Sequence, residues 1–205
     1  MRTRTLLGGG ALAGPLFIGT FIAAGRLQPG YDPRRSAISD LARTDLGWVQ
    51  TANFLASGTL MLAGALGARR ALGSGPSSRA LPLVMGAMAL GTIGAGVFAT
   101  DTEEEAASGL SPRGVAHVAS AVPVFVGMPL ACFCGARRLA AEGRYGWAAL
   151  SAATGVTSIS AAAATGKAMD PQSPLAPRGG TFQRIAVVSG LAWFSLCARW
   201  LRKRA

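Results

Sequence analysis

LPLVMGAMALGTIGAGVFA, residues 81–99, and VAHVASAVPVFVGMPLACFCG, residues 115–135, decide the fold. Each is nearly free of charge and close to the about 20 residues that a helix needs to cross the hydrocarbon core of a bilayer. Working outward, four more stretches of this kind lie at about 6–25, 47–68, 147–167 and 181–198. The one at 147–167 is built of Ala, Ser, Thr and Gly. Such residues have little transfer energy but allow close helix packing inside a bundle. The expected architecture is all-α: a polytopic membrane helical bundle of six transmembrane helices arranged as three hairpins, forming a single integral membrane domain over 1–205.

Composition agrees. Of 205 residues half are apolar and 14% are charged, with a formal charge of +11. Apolar residues this abundant and clustered exclude a disordered chain, and three cysteines are too few for a disulfide scaffold. A basic nucleic-acid binder needs its cations on one continuous polar face. Here they sit in short clusters between apolar runs, so no nucleic-acid partner is expected.

The clusters instead set an orientation. Twelve cations flank one set of span ends, at Arg2, Arg4, Arg69, Arg70, Arg79, Arg137, Arg138, Arg144, Arg199, Arg202, Lys203 and Arg204, against the single acid Glu142. At the other ends eight cations face eight acids, so the entire surplus lies on one side. By the positive-inside rule that side is cytoplasmic, which puts both termini inside a plasma-membrane protein. Tyr31 and Trp48 mark the outer boundary, and Tyr145, Trp147 and Trp200 the inner one. The start of the chain also has features of a cleavable secretory signal, ending near Ala23-Ala24-Gly25. The length of its apolar run and the Gly14-Pro15 pair within it read instead as a retained, kinked span. Cys132, Cys134 and Cys197 fall in inner halves of spans and are expected to line the apolar interior rather than to bind metal or form a disulfide.

Polar residues gather at the outer ends. Asp32-Pro33 reads as an N-cap and first helical residue of a short interfacial helix over 33–43, with Ile38 and Leu41 facing lipid or bundle. Ser111-Pro112 repeats that logic at the start of the fourth span, placing Arg113 and His117 at i, i+4. Gln50 and Asn53 share a face of the second span, Asp101 closes the third, and Arg184 opens the sixth. Gln50, His117 and Arg184 are each 67 residues apart, a spacing that internal repeats or merely equal hairpin lengths would produce. Polar groups this deep are expensive in lipid and usually face the bundle interior. Together with Ser39 and Asp40, these residues are expected to form an outward-facing polar pocket for a small ligand or lipid: Asp32, Ser39, Asp40, Gln50, Asn53, Asp101, Arg113, His117 and Arg184. Each also has a plain structural role open to it, as a cap, an interhelical hydrogen bond or a headgroup contact. Glu103-Glu104-Glu105 reads as a solvated acidic loop.

The ordered set Pro29-Gly30-Tyr31-Asp32-Pro33, Ile38-Ser39-Asp40-Leu41, Asn53, Asp101, Gly114-x-x-His117 and Gln183-Arg184 resembles a bacterial six-span family, domain-of-unknown-function family 998. The Ile38-Ser39-Asp40 segment is also similar to eukaryotic DRAM-type six-span proteins. The resemblance implies six membrane helices with the signature residues on the outer side, and it implies no established activity.

Three functions compete. A non-enzymatic membrane protein would bind a small ligand or lipid in the outer pocket. An intramembrane hydrolase or lipid-modifying enzyme would use His117 as base and Asp101 to orient it, with Ser39 or Ser111 as nucleophile. The single His excludes the multi-His zinc site of alkaline ceramidases, so neither metal nor cofactor is expected. A small transporter would couple protons through His117 and Asp101, bending at Gly14-Pro15 and between Pro123 and Pro129. With no recognisable catalytic set, the binder ranks first.

Overall fold

The computed structural model describes residues 1–205 apart from the Glu103 side chain. Its helices are α1 Thr3–Leu27, α2 Gly47–Ala71, α3 Ala80–Val97, the short α4 Glu103–Ala107, α5 Pro112–Ala141, α6 Tyr145–Ala168 and α7 Gly179–Arg202. Two 3₁₀ turns, Ile38–Arg43 and Ala176–Arg178, lie in the connections, and no strand occurs among the described residues. The six long helices coincide with the six apolar stretches, and all are long and apolar enough to cross a membrane. Most run a few residues past the apolar limits. Arg69 and Arg70, Arg138, and Arg199 and Arg202 occupy last turns, where the helix dipole favours cations and long side chains reach toward water. Beyond α5 the chain turns at Gly143, whose φ of +72° is left-handed and suits glycine.

The long helices alternate in direction, so both termini share one end of the bundle. The opposite end carries the connections α1–α2, α3–α5 and α6–α7, and is called the loop end below. Three antiparallel pairs are present, α1–α2, α3–α5 and α6–α7, but they do not stand apart. Each helix packs on its neighbours in sequence, α7 closes the ring against α1, and α7 also leans inward onto α5 and α2.

Small residues let the backbones approach. A Cβ on Gly10 of α1 would sit 2.6 Å from the Gly64 Cα of α2, so both positions need glycine. Pro15 lies within α1, yet the helix runs through it. Beside it the Gly14 N–H donates to Ser195 Oγ of α7 at 3.0 Å, and that hydroxyl donates to Gly10 O at 3.4 Å. A neighbouring helix therefore supplies polar partners at the proline, as membrane helices require. The core is filled by Phe17, Phe21, Met61, Met85, Met88 and Phe194, and also takes in the free Cys132 and Cys197. The residues α6 buries are small, Ala148, Ser151, Gly155, Ser158 and Ala161.

The outward faces are the reverse of a water-soluble protein's. Leu12, Leu83, Leu90, Val122, Leu130 and Ile159 are exposed on four different helices. So much apolar surface spread around a bundle is matched to lipid, not water. This is a membrane protein.

Candidate functional site

The first loop-end connection, residues 28–46, is built onto the start of α7. Gly30, with φ +74°, turns the chain. Asp32 does not cap a continuous helix. Its Oδ1 accepts the Arg34 N–H at 2.9 Å and its carbonyl accepts those of Arg35 and Ser36, so one turn forms and stops. The expected helix over 33–43 is thus split, and the 3₁₀ turn begins afresh at Ile38, held by Asp40 Oδ2 accepting the Ala37 N–H at 2.8 Å. The physical reason lies in α7. Its first free amides, Gly180 and Thr181, donate to the Arg35 and Arg34 carbonyls at 3.1 and 3.0 Å, which fixes the loop backbone away from helical geometry.

Side chains of α7 complete the joint. Gln183 Oε1 accepts the Ile38 N–H at 2.7 Å. Arg184 is half-buried and does not reach out to headgroups. It donates to Ser36 O and Gly180 O, both at 2.9 Å, and to the Tyr31 hydroxyl, and its guanidinium lies over the Tyr31 and Phe21 rings. Tyr31 in turn donates to Ala37 O at 2.9 Å, and its burial raises the phenol's pKa against the opposing pull of the Arg184 charge. Ile38 and Leu41 are buried against the bundle, not turned to lipid.

A second joint ties α3 to α5. The Asp101 carboxylate is buried and accepts the Ser111 N–H at 2.8 Å and the Ser111 hydroxyl at 2.6 Å. Ser111 Oγ then accepts the Gly114 N–H at 3.1 Å, the N-cap read from the sequence. The two bonds from Ser111 outweigh burial and hold the Asp101 carboxyl below the usual carboxylate range, with Arg113 and Arg43 adding to the effect. Gly114 has no room for a side chain, because a Cβ there would run into that carboxylate.

Arg113 and His117 separate in function. Arg113 is exposed, 3.3 Å from Glu105 and 3.8 Å from Asp101, while His117 is buried with Nδ1 2.7 Å from Phe98 O at the end of α3. The hydrogen bonds of Asp101 go to Ser111 and those of His117 to Phe98, so the expected Asp101–His117 pairing is replaced by a backbone carbonyl. Because a carbonyl only accepts, Nδ1 carries a proton in this contact. The acidic run is no plain loop: Thr102 and Glu105 cap each other at the start of α4, with bonds of 2.8 and 3.0 Å. Glu104 is exposed, and the Glu103 side chain lies outside the described residues.

Between the two joints a polar ladder runs along buried α2. Ser57 Oγ donates to Asn53 Oδ1 at 3.2 Å, and Asn53 Nδ2 donates to Phe17 O at 3.1 Å and to Gln50 Oε1 at 3.3 Å. Gln50 Nε2 is buried with no partner among the described residues. Gln50, His117 and Arg184 therefore have unlike partners, and their equal spacing in sequence brings no repeated geometry.

Enclosed by these elements is a cavity of about 80 Å³. Ile38 and Ser39 meet it from the loop, Phe17 and Phe54 from α1 and α2, His117 from α5 and Gln183 from α7. It continues to Met128 and Leu191, the latter about 12 Å farther along α7 than Gln183 at 1.5 Å per residue. Ser39, His117 and Gln183 put polar atoms at the loop end, Thr92 adds a hydroxyl from α3, and the rest of the lining is apolar.

A family model described as "Protein of unknown function (DUF998)" matches residues 11–200. The chain belongs to this family. No curated protein and no solved structure matches it. In this DUF998 protein, two of the nine residues expected at the site, Ser39 and His117, line the cavity. Asp32, Asp40 and Arg184 hold the loop above it, Asp101 and Arg113 sit at the α3–α5 joint, and Gln50 and Asn53 form the α2 ladder. Gln183 and Thr92 were not among the nine. Gln183 carried a signal, a polar residue beside Arg184 in the first turns of a span. Thr92 carried none, since a lone Thr in an apolar helix usually bonds its own backbone, as it does here to Met88 O at 2.9 Å.

Proposed function

We propose that this DUF998 protein crosses the plasma membrane six times, with both termini cytoplasmic, and binds a small amphiphile or lipid in the cavity beneath its first loop. The orientation rests on the one-sided arginine surplus. The observation that carries the binding role is the division of the cavity lining. Three of its four polar residues, Ser39, His117 and Gln183, stand at the loop end, and toward the middle of the bundle the lining is apolar apart from Thr92, whose hydroxyl is already bonded to Met88 O. Such a lining suits a ligand with one polar end and one apolar end.

The enzyme and transporter readings receive less support. Both invoke Asp101 beside His117, and the Asp101 carboxylate is instead occupied by Ser111. Neither reading has another acid in the cavity lining to fall back on.

The test is thermal unfolding of detergent-purified protein with added fatty acids and lysophospholipids of graded chain length. A chain-length optimum for stabilisation, abolished by His117→Ala or Gln183→Ala while the unliganded protein still folds, is the expected outcome. Stabilisation that grows without an optimum and is equal in both variants would mean detergent-like coating and would overturn the proposal.

A further inference from the structure

A second hollow lies at the opposite end of the bundle, between α5, α6 and α7. It has a volume of about 210 Å³ and is lined by three of the four tryptophans in the chain, Trp147, Trp193 and Trp200. It exists because of residue sizes. Gly135 of α5 presents no side chain, and a Cβ there would run into the Trp193 ring. The facing residue of α6, Ser151, is small and accepts the Trp193 Nε1–H at 2.9 Å, which fixes the indole as one wall. Leu139, Leu150 and Leu196 make most of the remaining surface apolar.

The rim is basic, with Arg138, Arg199 and Lys203 around it. Glu142, the one acid at this end, is already engaged. It pairs with Arg138 at 2.7 Å and with Arg204 at 2.6 Å, and Arg204 also stacks over Trp200 at 4.2 Å. Arg199 and Lys203 are left exposed with no carboxylate partner among the described residues. They stand at i, i+4 at the end of α7, where Lys203 is the C-cap and keeps helical geometry, and so share one face. Trp200 Nε1 is also buried without a partner among the described residues.

An apolar slot, a tryptophan belt and two unpaired cations about one helical turn apart form a sequence of environments that matches the acyl chain, glycerol region and phosphate of a lipid. We propose that this cleft seats an anionic glycerophospholipid from the leaflet on the side of the termini. One acyl chain lies against Trp193 and Leu150, and the headgroup phosphate lies between Arg199 and Lys203. The site is separate from the loop-end cavity, and either can fail without the other.

The experiment uses the full chain, titrated with phosphatidylglycerol or phosphatidylcholine and read by native mass spectrometry. Brominated acyl chains, which quench nearby indoles, give a second readout. Phosphatidylglycerol is expected to bind about tenfold more tightly than phosphatidylcholine, with quenching of the tryptophan emission. In the Arg199→Gln/Lys203→Gln double variant that preference falls to about unity. Gly135→Leu, which fills the cleft and leaves the cations, is expected to lose the quenching. An Arg2→Gln/Arg4→Gln control, at the same end but away from the cleft, keeps both. Equal binding of the two lipids, or equal loss in the control, would mean diffuse surface charge and would overturn the proposal. Should Gly135→Leu fail to fold, quenching in the Arg199→Gln/Lys203→Gln variant relative to the parent decides.

Discussion

Gln183 on α7 accepts the backbone N–H of Ile38 at 2.7 Å, joining positions 145 residues apart at the cavity's loop end. Gln183→Ala leaves that amide without its acceptor in a half-buried setting. A loss of about 1–3 kcal/mol is expected. Thermal unfolding checks the magnitude, and hydrogen exchange localises it: protection should fall at residues 37–41 and persist in α2 and α3.

Arg184→Lys keeps the charge but removes the fork that reaches Ser36, Gly180 and Tyr31 at once. A point charge on a flexible stem does not replace it. Exchange of the 31–37 amides is expected to quicken about tenfold or more, with little change at the α3–α5 joint. Equal protection in the two proteins would mean that the Gly180 and Thr181 amides suffice to hold the loop.

Gly114→Ala is expected to lower the unfolding temperature by several degrees, because the new methyl group competes for the space of the Asp101 carboxylate. Gly146→Ala is the matched control, with nothing within 4 Å of its Cβ, and should be neutral or slightly stabilising.

The same joint predicts a pH dependence. The Asp101 carboxyl is held below its ordinary value in the folded protein, so ionisation favours folding. Its contribution is complete above the unfolded value of about 3.9 and fades as pH falls through that range toward the lower folded value. Acid titration of the unfolding temperature should therefore bend downward below about pH 4. In Asp101→Asn that segment of the curve should flatten, and an unchanged bend would assign it to another acid.

Asn53→Ala removes the donor to Phe17 O of α1 and, within α2, the donor to Gln50 Oε1 and the acceptor of Ser57. Interhelical hydrogen bonds in membrane proteins average about 0.6 kcal/mol, and one is lost here together with two bonds within α2, so a destabilisation of about 1–2 kcal/mol is expected in urea or SDS titration.

The six helices were legible because span length and one-sided arginine are set by the bilayer rather than by packing. Boundaries were less so. Hydropathy ended the fourth span near residue 135, while Arg137 and Arg138 carry α5 on to Ala141, since a charged turn at an interface is still helical. The local pattern at Ser111-Pro112 gave the right cap, and the identical logic at Asp32-Pro33 gave the wrong helix. The difference lies in α7, whose amides claim the Arg34 and Arg35 carbonyls from far along the chain. His117 and Asp101 were correctly placed at the same end but wrongly joined. Spacing does not reveal that Phe98 O and Ser111 lie nearer as partners.

The ring order has a consequence for biogenesis. Each helix meets its immediate predecessor as it leaves the ribosome, so most packing needs no search. The exception is α7, the last of the six long helices, which must find α1, the earliest of them, to close the circle. Tyr31 and Ile38 wait for Arg184 and Gln183 throughout translation, so a chain stalled before residue 179 has five helices in place and an open upper chamber. Quality control that senses unpaired amides in the first loop would thereby be reading the arrival of the sixth long helix.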